Sequence, residues 1–235
     1  MIYVGIDDTD TRETPGTNKL AMYLSELLRD RFETRWIVRH QLLEDPRVPC
    51  TNRNGCVSLL FEPLGSDGVA ELTNILRDEI VRWIPEGSDP GLCIVTDAPE
   101  RLSAWGRTAQ QELVTQAAAW ELARTIGVHL EALGGTGDGV IGALAAVGLL
   151  ATWNSGRVIR CYRVPADAFD LTGEFTVEQL YQIGVDDIFA VEDGRRLAAG
   201  TVNLGKRLRP NLRDGRMVLY VAGEGDNYEA QRVVA

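Results

Sequence analysis

Apolar positions along this chain recur with two periods, and the change between them marks out the elements. Ile2 to Ile6 is a short apolar run rich in β-branched residues, which reads as a buried strand. Leu20, Tyr23, Leu24, Leu27 and Leu28 then fall at helical spacing, so an amphipathic helix is expected over 18–31, capped by Thr17 or Asn18. Strands are expected over 35–43, 56–62 and 92–96. Between the last two, Gly65-Ser66-Asp67 opens a helix with an inward stripe of Val69, Leu72, Ile75, Leu76, Ile80 and Trp83. The order strand, helix, strand, strand, helix, strand is the split βαβ, or ferredoxin-like, arrangement.

The second half opens with a helix expected over 107–126 and ended by Gly127. A short strand over 128–133 leads to Gly134-Gly135-Thr136-Gly137-Asp138-Gly139 and an apolar helix over 140–152. Beyond it the pattern predicts a strand over 157–164, a short helix over 176–183 and short strands over 188–191 and 197–199. The last strand is expected over 217–222, with a fraying tail from Gly223. The fold class is therefore α+β. A ferredoxin-like part spans 1–97 and a second α/β part spans 98–235, the two being free to interleave.

Composition narrows the picture. The chain has 235 residues, 45% hydrophobic and 25% charged, which suits a soluble globular protein with a full core. Its net charge of −10 argues against broad adhesion to nucleic acid, which needs clustered Lys and Arg. Lys206, Arg207, Arg209, Arg213 and Arg216 form one local basic stretch, which reads as a solvated turn region or as an anion site. Cys50, Cys56, Cys93 and Cys161 include no Cys-x-x-Cys pair and read as buried or free thiols in a reducing cytosol. The apolar run 140–153 is too short to span a membrane, and no signal peptide pattern precedes the first strand; a cytoplasmic location is expected.

Chemistry concentrates where the first strand ends. Asp7-Asp8-Thr9-Asp10 puts several anionic oxygens at one sheet edge, where they repel one another unless water or a cation intervenes. Hard oxygen ligands of this kind suit magnesium carrying a nucleotide's phosphates. The same residues also suit a solvated acidic turn before a helix. The glycine run before the apolar helix lets a phosphate approach the backbone at a positive helix end, or serves as a flexible connector. The loop holding Thr51, Asn52, Arg53 and Asn54 is long for a hairpin, and such loops are more often functional than idle. His40 and His129 read as structural or surface histidines, and no Cys/His or Ser/His nucleophile pair is evident.

Three segments together resemble the tRNA(Ile2) 2-agmatinylcytidine synthetases. They are Gly5 to Asp10 with Gly16-Thr17 and Leu20-Ala21 beyond; the loop from Val48-Pro49 to Asn54-Gly55-Cys56-Val57; and Asp138-Gly139-Val140-Ile141-Gly142-Ala143 running on to Gly148. The resemblance covers about residues 1–165, and order and spacing agree in all three segments. It implies an enzyme that uses ATP and Mg2+ to activate a cytidine oxygen for displacement by an amine. It further implies that Asp7, Asp8 and Asp10 handle metal and phosphate and that Thr9 is a hydroxyl donor. Thr17, Arg53, Asn54 and Gly55 are placed by it around the nucleotide, and Gly137, Asp138 and Gly139 become the backbone cradle. The chain departs from the pattern in its second motif, which is one residue shorter and lacks the family's lysine, and in the longer acidic-turn loop. It shows no zinc-ribbon cysteines and stops where the family's OB-fold begins.

The expected function is ATP- and Mg2+-dependent phosphoryl or nucleotidyl transfer to a small molecule or nucleotide. Two other readings stay open: a non-catalytic nucleotide-binding module, and the catalytic subunit of a split tRNA-modifying enzyme that meets tRNA only with another subunit's help. No membrane partner is expected, and oligomeric state is left open.

Overall fold

The computed structural model describes residues 1–48, 50, 53–66 and 68–233. The chain divides into two compact units, Met1–Thr152 and Trp153–Ala235, whereas the sequence reading divided it after residue 97. In the first unit the order is β1 (Ile2–Asp7), α1 (Thr17–Leu27), β2 (Phe32–Gln41), β3 (Gly55–Pro63), α2 (Val69–Trp83), β4 (Gly91–Val95), α3 (Glu100–Gln111), α4 (Gln116–Ile126), β5 (His129–Ala132) and α5 (Gly139–Ala151). The strands pair antiparallel in the order β5-β4-β1-β3-β2. The 4-1-3-2 core of that order is the ferredoxin-like arrangement expected from the sequence, extended by β5 at one edge.

Alternation along β1 assigns the two faces of this sheet. Ile2, Val4 and Ile6 are buried on the face that α1 and α2 cover with Leu20, Leu24, Leu72, Leu76 and Ile80. Tyr3, Gly5 and Asp7 point the other way, toward α5. That helix is buried along nearly its whole length and packs with α3, Cys56 and Cys93 in one apolar cluster. Gly5 explains how closely it lies: a Cβ at this position would fall 2.0 Å from the Ala143 carbonyl oxygen. On the same face His40 is buried and neutral, its pKa pushed down to about 3 by burial and by Arg39, and it shares a 2.8 Å hydrogen bond with Ser58 Oγ.

In the second unit β6 (Arg157–Cys161) is followed by a 3-10 turn, β7 (Glu174–Thr176), α6 (Val177–Ile183), β8 (Asp187–Ala190), β9 (Thr201–Asn203), β10 (Asn211–Arg213), β11 (Arg216–Glu224) and β12 (Asn227–Ala230). Its strands run β6-β10-β11-β12-β9-β7, with β8 parallel to β11. A capping box between Thr176 and Gln179 starts α6.

Several elements differ from the sequence reading. The helix expected over 107–126 is two helices, because the chain is extended at Glu112 and restarts at Thr115, whose side chain accepts the Ala118 N–H. Gly16, not Thr17 or Asn18, occupies the N-cap of α1, and no side chain caps it. Residues 197–199 form no strand; strand pairing there runs through Thr201–Asn203 against β12. The tail does not fray at Gly223, since β11 continues to Glu224 and turns back as β12. Asp67, expected in the opening of α2, lies outside the described residues. Among the described residues no helix is long and apolar enough to cross a membrane.

Candidate functional site

The strand register brings four connections to one end of the first unit's sheet. Asp7 at the end of β1 is paired with Gly91 at the start of β4, Gly91 with Ala132 at the end of β5, and Gln41 with Gly55 across the β2–β3 loop. The turn after β1, the loop 42–54, the segment 84–90 and the glycine run 133–138 therefore all open on this end. The acidic turn and the glycine run, far apart in sequence, become neighbours.

Asp7 is partly buried at the start of this turn. A Cβ on Gly142 would fall 1.7 Å from Asp7 Oδ2, so the small residue in α5 makes room for the carboxylate. Burial, then the charges of Asp8 and Asp10, push its pKa up to about 7, against a smaller pull from Arg39. Asp8 has φ +50, a left-handed backbone uncommon outside glycine. Its carboxyl is pushed up to about 6 by burial and by Asp89, Asp10 and Asp138. The Thr9 hydroxyl is buried and donates to Thr17 Oγ1 at 3.1 Å, and the Thr17 hydroxyl donates to Asp10 Oδ1 at 3.1 Å. This chain of hydroxyls ties the turn to the first residue of α1. Asn18 Oδ1, next along α1, is shielded from water and has no donor.

Asp89 is the residue that sequence reasoning missed. Its backbone N–H donates to the Asp8 carbonyl at 3.1 Å, and its own carbonyl accepts the Gly139 N–H at 3.0 Å. Its carboxylate accepts the N–H groups of Thr136 and of Gly137, the latter at 3.2 Å. One residue thus clasps the acidic turn, the glycine run and the start of α5. Gly137, at φ +83, bends the run around it, and Asp138 stands at the N-cap of α5 without a side-chain capping bond. The amides expected to cradle a phosphate already hold a carboxylate. Only a lone Asp four residues after a proline marked Asp89 in the sequence, a signal shared by many loops.

In the loop 42–54, the Asn54 side-chain amide donates to the Leu43 carbonyl at 2.8 Å, so it braces the loop. Gly55 begins β3 with the Arg39 guanidinium lying where a Cβ would be. Arg53 is exposed at the same end of the sheet. Pro49, Thr51 and Asn52 lie outside the described residues.

Among the described residues no three His, Cys, Asp or Glu side chains form a ready metal centre. The donor set nonetheless fits a hard divalent ion, because Asp7 and Asp8 are crowded carboxyls whose pKa values are pushed up to about 7 and about 6 by burial and by neighbouring acids. Magnesium uses one or two carboxylates and takes further oxygens from phosphate and water, so a complete protein cage is not required. His129 pairs with Glu131 at 3.1 Å on the edge strand β5.

No family model and no curated protein matches the chain. Solved structures do. A TiaS–tRNA(Ile2)–ATP complex is 25% identical over 77% of this chain and 43% of its own, with a TM-score of 0.57. A TiaS complex with tRNA(Ile2), AMPCPP and agmatine is 28% identical over 63% of this chain and 36% of its own, TM-score 0.54. A tRNA fluorescent labeling enzyme is 28% identical over 63% and 35%, TM-score 0.56. The chain thus spans between about a third and two-fifths of the length of these proteins. Over the matched span the chain has a TiaS-like fold.

Proposed function

We propose that this chain binds ATP with magnesium at the end of β1 and uses it for phosphoryl or nucleotidyl transfer in tRNA modification. The observation that carries the reading is the carboxylate group at one sheet end, with Asp7 and Asp8 raised to about 7 and about 6 and clasped by Asp89 to the start of α5. Acids do not gather unpaired around a helix start without cost, and a cation bridging them to a triphosphate removes that cost. Support also comes from the solved neighbours, which hold ATP or AMPCPP together with tRNA(Ile2). They favour a nucleotide acceptor within RNA over a free small molecule.

Transfer of this kind asks for positioning and charge stabilisation more than covalent chemistry. Asp8 and Asp10 are the residues suited to hold magnesium, which when bound neutralises phosphate charge. Asp7, packed against Gly142, fixes the edge of the site from the core side. Thr9 and Thr17 hold Asp10 in place through their hydroxyls. Arg53 is the exposed guanidinium that the loop 42–54 offers at the same sheet end to phosphate or acceptor.

The test pairs calorimetry with product analysis. Wild-type protein should bind a non-hydrolysable ATP analogue only with magnesium, and with ATP and a tRNA acceptor should release AMP, ADP or phosphate. Asp8→Asn should cut turnover by at least about 100-fold, the scale of losing one well-placed charged group, with an unchanged melting profile at acidic pH. A wild-type level of turnover in Asp8→Asn would remove the proposal. A second reading, nucleotide binding without turnover, is favoured by the glycine amides being occupied by Asp89. Magnesium-dependent analogue binding with no product from ATP would select it.

A further inference from the structure

The second unit carries a charge feature that the site above does not use. Of the net −10, the first unit holds −9, with 13 Lys and Arg against 22 Asp and Glu, and the second only −1, with 11 against 12. Within the second unit the acids beside β8 are committed. Asp186 pairs with Arg163, Asp187 with Arg196 and Arg216, and Asp193 with Arg195. Among the described residues, no ion pair or side-chain hydrogen bond engages Lys206, Arg207, Arg209 or Arg232. Arg209 is partly buried, and its Nε is shielded from water with no acceptor. A shielded guanidinium nitrogen without an acceptor is costly, and the usual remedy is a carboxylate or phosphate oxygen. Here burial, then Arg232 and Arg207, lower the Arg209 pKa; only like charges stand near enough to act on it.

The scaffold beneath these cations is fixed by hydrogen bonds among backbone groups and two asparagine side chains. The turn between β9 and β10 is held by the Gly205 N–H to Asn203 Oδ1 at 2.9 Å and by the Leu204 N–H to the Gly173 carbonyl at 2.8 Å. The segment after β12 is tied down by the Gln231 N–H to the Tyr220 carbonyl at 2.8 Å and by Asn211 Nδ2 to the Val233 carbonyl at 3.0 Å. Arg232 is thereby held beside the start of β10, where Arg209 enters. The cations extend from a turn to a separate segment, which suits several phosphates in a row better than one. Guanidinium forks match phosphate oxygens two at a time.

We propose that Lys206, Arg207, Arg209 and Arg232 form a seat for the phosphodiester backbone of an RNA strand. The inference rests on the tRNA reading above and adds the surface by which this chain holds its partner. On an acidic chain, such a seat restricts where a polyanion lands and so orients it.

The test uses a fluorescein-labelled, unmodified tRNA transcript and anisotropy between about 50 and 200 mM salt, the range over which phosphate contacts are lost. The variants are Arg207→Gln/Arg209→Gln/Arg232→Gln and, in case the partly buried Arg209 is needed for folding, the exposed pair Lys206→Gln/Arg207→Gln. The triple variant should bind at least about tenfold more weakly, and its slope of log affinity on log salt should shrink by about two; the double should lose about two-thirds as much in slope. Binding of the ATP analogue with magnesium should stay at the wild-type value in both. Variants that bind the transcript like wild type overturn the seat. So does a seat that takes inorganic phosphate or pyrophosphate, lost in the variants, while wild type shows no affinity for the transcript. If wild type fails to bind the ATP analogue, the nucleotide reading falls, and the transcript titration still decides the seat on its own.

Discussion

Asp7→Asn should make the metal-free protein more stable at pH 8, and the gain should shrink as pH falls, vanishing only below about 3.8. The Asp7 carboxyl titrates at 3.8 when the chain is unfolded and is pushed up to about 7 in the fold. Between those values the folded state keeps a proton that the unfolded state has released. The stability contributed by the protonated carboxyl is therefore intact below pH 3.8, falls as pH rises, and is gone above about 7. A difference of that size corresponds to about 4 kcal/mol at most, and roughly half is expected, because Asp7 keeps some contact with water and with Arg39. Asparagine has the shape of the protonated acid and fits the same space beside Gly142. Urea unfolding in EDTA at pH 5, 6, 7 and 8 measures it. The two proteins should differ by about a third of the full gap at pH 5 and separate further up to about pH 7, where the gap levels off, the variant being about 2 kcal/mol more stable at pH 8. Asp8 and Asp10 remain in both proteins and largely cancel in the difference. Magnesium added at pH 8 should narrow the gap by stabilising wild type more than the variant, which keeps Asp8 and Asp10 but lacks the third carboxylate. Parallel curves, or a variant that is weaker at pH 8, would refute the account of Asp7 as a charge held at a cost.

Two further substitutions probe the frame of the site. Gly5→Ala places a methyl 2.0 Å from the Ala143 carbonyl oxygen, which is backbone and cannot swing aside; a loss of about 1–3 kcal/mol is expected in urea unfolding, and an unchanged midpoint would contradict the close seating of α5. Asp89→Ala strips the acceptor from the Thr136 and Gly137 N–H groups, costing about 1–3 kcal/mol, and removes a charge that raises Asp8. A carboxyl-detected NMR titration should show Asp8 moving down toward the ordinary carboxylate range; an unmoved Asp8 would deny that the two acids share one site.

What the sequence discloses about the fold follows from how local each signal is. The order β1, α1, β2, β3, α2, β4 is legible because each element carries its own period and is bounded by Gly, Pro or Asp, and one arrangement buries all the apolar faces at once. The break at residues 112–115 is not legible from period. Leu113 and Val114 continue the apolar pattern across it, and the break is set by where α3 and α4 each meet the core. Short strands such as β7, β9 and β10, three residues each, have too few side chains to show alternation. Their existence depends on the partner strand supplied by the register.

The site divides along the same line. Asp7, Asp8, Asp10 and the glycine run are dense local signals, and the sheet register does bring them to one end. The link between them is a single carboxylate in a loop without pattern, and its role exists only once β1 and β4 are paired. Asp89 shows why motif density is an incomplete guide: the glycine run suits a phosphate cradle or a flexible connector by its sequence, yet an acid of the chain itself occupies two of its amides. On the proposed reading, a triphosphate approaching this end of the sheet has two courses. It rests on the acids through magnesium and leaves Asp89 in place, or it takes the amides and drives Asp89 toward Asp8. The second course brings more negative charge against carboxyls already raised to about 6 and about 7, so the arrangement favours the first, with the cation bound on the acidic turn and the clasp kept closed.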